Sequence, residues 1–136
     1  MMCSQITVLV VEDDVAVMAA LYEILTFNGY GVITASSTDE AEMAVRRLGE
    51  AHIRLVISDI HLTRNPDACE GYALYQQWTL THPGLPFILM SAYPSSLDLP
   101  AVRTRAVRFL AKPFEMGALL QCMEETLGRK PIPCRT

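Results

Sequence analysis

Three acids in a row, Glu12-Asp13-Asp14, and a lone Asp59 supply carboxylates; Lys112 supplies a cation and Ser91 a hydroxyl. Carboxylates that meet in one crevice repel, by roughly 4 kcal/mol per pair at ~4 Å and an effective dielectric near 20, so a cluster stays ionised only beside a cation. Lys112 offers one positive charge and a divalent metal would offer the rest. Oxygen donors alone, few enough to leave room for water and a phosphate oxygen, favour Mg2+ over zinc or a caged Ca2+. Taken singly, the residues are ordinary: an acidic strand-to-helix turn, a cap, a surface lysine and a turn hydroxyl. Their shared placement gives them weight.

Each of them follows an apolar run of strand length. Ile6 to Val11 ends in the acidic triplet, Ile53 to Ser58 closes on Asp59, Leu85 to Met90 ends at Ser91, and Val107 to Leu110 precedes Lys112; Tyr30 to Ala35 is a fifth run. Between the runs lie stretches of helical period. Asp14 suits an N-cap, with Val15, Met18, Tyr22 and Leu25 as the buried stripe up to Asn28-Gly29. Ser37-Thr38-Asp39-Glu40 reads as a capping box before Ala41, Ala44, Val45 and Leu48. A long polar loop from Thr63 to Gly71 precedes a helix carrying Tyr72, Tyr75 and Trp78, whose spacing marks them as core or helix surface rather than a stacking site. A short helix is expected between Pro94 and Thr104. Pro113 is expected at the first position of a last helix that buries Phe114, Leu119, Leu120 and Met123 and stops at Gly128. Alternating strands and helices predict a three-layer α/β fold, doubly wound (βα)5, with a five-stranded parallel sheet in the flavodoxin-like order 2-1-3-4-5. Such sheets bind ligands at the carboxyl ends of their strands, where the polar residues fall.

The chain has 136 residues, one domain expected over 1–128 with a tail or linker stub over 129–136. Eleven Lys and Arg against fifteen Asp and Glu give a net charge of −4, which argues against direct nucleic-acid binding. A hydrophobic share of 51% with 19% charged residues excludes intrinsic disorder. No apolar run approaches the ~20 residues needed to span a bilayer, so no membrane contact and a cytoplasmic location are expected. Cys3, Cys69, Cys122 and Cys134 lack zinc-site spacing and read as reduced thiols.

The chain resembles the receiver domain of two-component response regulators. The matching pieces are Val8-Leu9-Val10-Val11-Glu12-Asp13-Asp14, Leu55-Val56-Ile57-Ser58-Asp59, Met90-Ser91-Ala92 and Phe109-Leu110-Ala111-Lys112-Pro113-Phe114, which span nearly the whole sequence. The resemblance implies that Asp59 accepts a phosphoryl group. It implies that Glu12, Asp13 and Asp59 hold Mg2+ directly or through water, with the His61 backbone carbonyl as a further ligand. Lys112 would be the phosphate counter-ion, Ser91 the switch hydroxyl, Phe109 the switch aromatic, and the Lys112-Pro113 bond cis. A histidine kinase, a histidine phosphotransfer protein or a small acyl phosphate would be the donor. The chain would catalyse its own phosphorylation and dephosphorylation without being a turnover enzyme. Partners would read a surface made by the fourth helix, fifth strand and fifth helix, through which a homodimer could also form.

Three positions depart from the family pattern. Thr63 stands where proline is usual, Gly71 lies twelve residues past Asp59 rather than eight, and Arg105 replaces the glycine before strand five. The longer loop is expected to alter donor docking or the phosphoryl lifetime. The His61 ring reads as a surface loop histidine rather than a metal ligand. Other readings are a Mg2+-dependent phosphohydrolase or nuclease using Glu12, Asp13 and Asp59, and a receiver-like interaction module that is never phosphorylated. A flavodoxin-like binding module is disfavoured because three acids after the first strand would repel a phosphate.

Overall fold

Strands form where β-branched and large apolar residues run unbroken, because such runs can be buried on both faces of a sheet. The computed structural model describes residues 5–63, 65 and 67–128. Cys3, Arg64, Pro66, Cys134 and the tail expected at 129–136 lie outside the described residues. In chain order the elements are β1 (Thr7–Val11), α1 (Val15–Phe27), β2 (Gly31–Ala35), α2 (Thr38–Leu48), β3 (Leu55–Asp59), α3 (Glu70–Thr81), β4 (Phe87–Ser91), α4 (Pro100–Arg103), β5 (Arg108–Ala111) and α5 (Met116–Leu127). The sheet runs β2-β1-β3-β4-β5 with every neighbouring pair parallel, as expected.

Side chains alternate across a strand, so the sheet separates two cores. Val8, Val10, Leu55, Ile57, Ile88, Met90 and Leu110 pack with Leu21 and Leu25 of α1 and Leu119 and Met123 of α5. Leu9, Val11, Val56, Phe87 and Leu89 face the other way, against Ala41 and Val45 of α2, Tyr72, Leu74 and Trp78 of α3, and Val102 of α4. The alternation also sorts the strand ends. Glu12, Asp59 and Lys112 continue the α1/α5 face, whereas Ser91 and Phe109 continue the α2/α3/α4 face.

Local signals set the helix ends. Asp14 caps α1, its carboxylate accepting from the Ala16 and Val17 amides at 2.9 and 3.1 Å. Ser37 caps α2 by accepting from the Glu40 amide, and Glu40 reaches back to the Ser36 amide and hydroxyl. Trp78 and Tyr72 are core, as expected: the indole N–H donates to Glu42 and the Tyr72 hydroxyl accepts from the Ala101 amide.

Three expectations are corrected. In α1, Val15 and Tyr22 are exposed at 83% and 48%, and the buried stripe is Leu21 and Leu25 with Val17, Met18 and Ile24 beside them. The helix VAVMAALYEILTF is apolar nearly all round, so period alone leaves its rotation open. Leu48, at the end of α2, is likewise exposed at 41%. Finally, α5 begins at Met116 behind Glu115, not at Pro113, because Lys112 to Glu115 form the bend that returns the chain from β5. The fixed φ of proline serves a bend as well as a first helical turn. The expected short helix before β5 is a 3-10 segment, Pro94–Asp98, followed by a single turn of α4, and Arg105 holds the left-handed φ of 60° at the position where glycine is usual.

Despite the longer loop, Gly71 sits where α3 presses on the strand that carries Asp59. Its amide donates to the Ile60 carbonyl at 2.9 Å, and a Cβ there would collide with the Asp59 carbonyl oxygen and come within 2.8 Å of Ser58 Oγ. Gly117, in α5, has open space around it. Gly71→Ala is therefore expected to cost about 2–3 kcal/mol by overpacking, and Gly117→Ala to add about 0.5–1 kcal/mol through helix propensity. Urea midpoints of the two variants measure this; equal shifts of one sign would contradict the close approach at Gly71.

Candidate functional site

A last rung of the sheet ladder holds each strand end. The Glu12 amide donates to Ala35 O, the Ile60 amide to Met90 O and the Lys112 amide to Ser91 O, each at 2.8–2.9 Å. The rungs bring side chains from β1, β3 and β5 to one rim. There, Lys112 Nζ lies 2.5 Å from both Glu12 Oε1 and Asp59 Oδ2. The other Asp59 oxygen accepts from the His61 amide at 2.8 Å, and the other Glu12 oxygen from the Asp14 amide at 3.2 Å. The Lys112–Pro113 peptide is cis, as expected.

Carboxylate oxygens of Glu12, Asp13 and Asp59 lie within 4.8 Å of one another, Glu12 and Asp59 buried and Asp13 exposed. With all three ionised, one ammonium leaves two negative charges unmatched. Burial, the largest effect, pushes the Glu12 carboxyl up from 4.5 to about 7; Lys112 opposes that shift and Asp59 adds to it. Burial pulls the Lys112 ammonium down, but its bonds to Asp59 and Glu12 outweigh this and hold it above its ordinary value. A cavity of about 450 Å3 opens over the cluster, lined also by His61, Thr63, Ala92 and Tyr93. An all-oxygen donor set with an excess of two negative charges and an accessible face suits a hard dication.

Glu12, Asp13, Asp59 and Lys112 meet at the rim, and the His61 ring, Ser91 and Phe109 lie beside it in other surroundings. The His61 ring is buried at 6% exposure, not on the surface. Its Nδ1 lies 3.0 Å from the Ala68 carbonyl oxygen and its Nε2 3.2 Å from Ser96 Oγ, and its face meets the Tyr93 ring edge-on at 4.6 Å. Ser91 is turned away from the cavity, its oxygen accepting from the Tyr93 amide at 2.9 Å and lying 2.7 Å from Ser96 Oγ. Phe109 is half-buried against the α2/α3/α4 core. Ser96 escaped sequence reading. A serine in a Pro-Ser-Ser stretch carries no local mark of a partner 35 residues away.

The model of the response regulator receiver domain matches residues 8–124. The chain is 34% identical over 120 residues to the transcriptional regulatory protein GlrR of Escherichia coli K12, covering 88% of this chain and 26% of that one. It is 36% identical over 127 residues to the response regulator protein FleR of Pseudomonas aeruginosa, covering 91% and 25%. It thus spans about a quarter of the length of these relatives. Among solved structures, the receiver domain of NtrX from Brucella abortus superposes with a TM-score of 0.76 at 29% identity, covering 89% of this chain and 98% of that one. A receiver domain protein from Clostridium thermocellum, with a TM-score of 0.78 at 18% identity, shares the fold over 90% of this chain and 94% of its own. Fold, family model and the acidic rim agree, and the chain belongs to the response regulator receiver domain family.

Proposed function

We propose that Asp59 is the phosphoacceptor of this domain, with Glu12, Asp13 and Asp59 holding Mg2+ together with the His61 backbone carbonyl, and Lys112 acting as fixed counter-ion. The observation that carries this reading is the gathering of three carboxylates around the Lys112 ammonium at the open rim of the sheet. A bound Mg2+ would neutralise charge on the phosphoryl oxygens. The protein's own groups do the rest. The His61 amide fixes the Asp59 carboxylate through one oxygen, and the cavity over it leaves room for a donor. As a carboxylate oxygen bonds to phosphorus, the bond from phosphorus to the donor breaks and the donor leaves with its electron pair. Lys112 then pairs with the charge on the transferred group.

The reaction modifies the chain once and is not turnover of a substrate, which sets it apart from a phosphohydrolase or nuclease using the same acids. A histidine kinase or histidine phosphotransfer protein would be the physiological donor. Ser91 and Phe109, on the face opposite the acids, would pass the change to the surface formed by α4, β5 and α5, open to a partner or to a second copy of the chain. The net charge of −4 supports leaving any nucleic-acid contact to other parts of a longer regulator. Among the described residues no helix is long and apolar enough to cross a membrane, and Cys69 and Cys122 are free thiols, which supports a cytoplasmic setting.

Incubation with Mg2+ and acetyl phosphate is expected to add one phosphoryl group, labile to base and hydroxylamine. Mass spectrometry of the wild type and of Asp59→Ala checks it: addition that survives the substitution would overturn the assignment.

The raised Glu12 value gives a pH dependence. In metal-free protein, the stability contributed by a protonated Glu12 is fully present below about 4.5 and is lost as pH rises through about 7. Mg2+ needs the ionised form, so its apparent affinity is expected to fall about tenfold per pH unit below that value. Calorimetric titration in the wild type and in Glu12→Gln should show a steep profile and a weaker, flatter one respectively. The same slope in both would assign the proton to another group.

A further inference from the structure

Ser91 is not free to meet a phosphoryl group on Asp59. It is 2% exposed on the opposite face from Asp59 and Lys112, and its neighbours Ala92 and Tyr93 line the cavity in its place. One buried chain of polar groups runs from Ser91 to Ser96 (2.7 Å), from Ser96 to His61 Nε2 (3.2 Å) and from His61 Nδ1 to the Ala68 carbonyl oxygen (3.0 Å).

Donor capacity gives this chain a direction. A carbonyl only accepts, so Nδ1 carries a proton toward Ala68. Nε2 lies 3.2 Å from Ser96 Oγ. Ser96 donates to Ser91 at 2.7 Å, the Ser91 oxygen also accepts from the Tyr93 amide at 2.9 Å, and the Ser91 hydroxyl faces the Tyr93 carbonyl oxygen at 3.5 Å. Every donor has a partner, and the Ser91 proton is committed away from Asp59.

The far end of the chain is anchored too. The Glu70 carboxylate accepts from the Leu62 amide at 3.1 Å and the Thr63 hydroxyl at 2.6 Å, closing the loop between β3 and α3 on itself. Asn65 accepts from the Asp67 amide at 3.0 Å inside that loop. The His61 ring is the bridge between this closed loop and the Pro94–Asp98 segment.

We propose that Ser96 and the His61 ring are positioning residues that latch the Ser91 hydroxyl in its unphosphorylated orientation and tie it to the β3–α3 loop. The proposal rests on Asp59 as phosphoacceptor. To donate to a phosphoryl oxygen, Ser91 must turn away from Ser96 and the Tyr93 backbone, and the charge-assisted bond it gains is stronger than the neutral ones it gives up. Phosphorylation therefore opens the latch and leaves the loop and the Pro94–Asp98 segment less firmly joined.

Beryllofluoride with Mg2+, a phosphoryl mimic, tests this on the full chain alongside amide hydrogen exchange. Ser96→Ala should bind the mimic roughly three- to tenfold more tightly, the size of one neutral hydrogen bond. Its amides over residues 67–71 should exchange faster than those of the wild type before any ligand is added. Ser96→Thr, which keeps the hydroxyl, should restore both values. His61→Asn keeps a donor for Ala68 but none of the reach to Ser96, and should tighten binding and speed exchange over 67–71 as Ser96→Ala does. A folded Ser96→Ala that binds no more tightly than the wild type overturns the latch and leaves Asp59 as acceptor. Unchanged exchange over 67–71 in that variant overturns the tie to the loop. A wild type that takes up no beryllofluoride overturns the phosphoacceptor reading and the latch together.

Discussion

The Lys112 ammonium, in contact with both Glu12 and Asp59, is the interaction on which the rest of the rim depends. Two buried carboxylates at that separation cannot both stay charged without a cation between them. The sheet order decides which kind of cation serves. β4 lies between β3 and β5, so a side chain from the end of β5 must cross two strand spacings, about 10 Å, to meet Asp59. A long flexible stem with a compact charge does this, and its single nitrogen can touch two carboxylates at once. The crossing also needs small residues at the end of β4. Ala92, just past that end and on the same face as Lys112, provides one.

The same geometry explains how the acids tolerate one another. Glu12 meets its cost of burial by drifting toward the protonated form, with Lys112 working against that drift. Asp59 is held from both sides, by an ammonium on one oxygen and a backbone amide on the other. Asp13 stays in solvent, where its charge is cheap. The three carboxylates therefore differ in burial and partners, and a dication would meet one exposed ligand and two buried ones.

Most of this was legible in the sequence because a strand that ends abruptly in a polar residue fixes both the position and the face of that residue. Glu12, Asp59, Ser91 and Lys112 follow largely apolar runs of strand length, and the parallel order brings the ends of those runs together. Where polar contrast was missing, the reading slipped. The α1 helix is apolar nearly all round, so its buried face was set by packing against the sheet rather than by its own pattern. Gly71 was visible as a glycine at an unusual distance from Asp59, but only the packed α3 helix shows that the close approach to Asp59 is kept despite that distance. The His61 to Ser96 pair joins residues 35 apart through two ordinary turn types, and no local rule points to it.

Side-chain alternation finally accounts for the separation of chemistry from response. Odd and even positions of a strand face different layers, so Asp59 and Lys112 belong to the α1/α5 side while Ser91 and Phe109 belong to the α2/α3/α4 side. The two layers meet only at the rim, where β4 ends in a small hydroxyl. On the Ser91 side the chain beyond β4 carries little regular helix. A 3-10 segment leads into a single turn of α4, and the turn closes on Arg105 in a left-handed conformation that a side chain adopts at some cost.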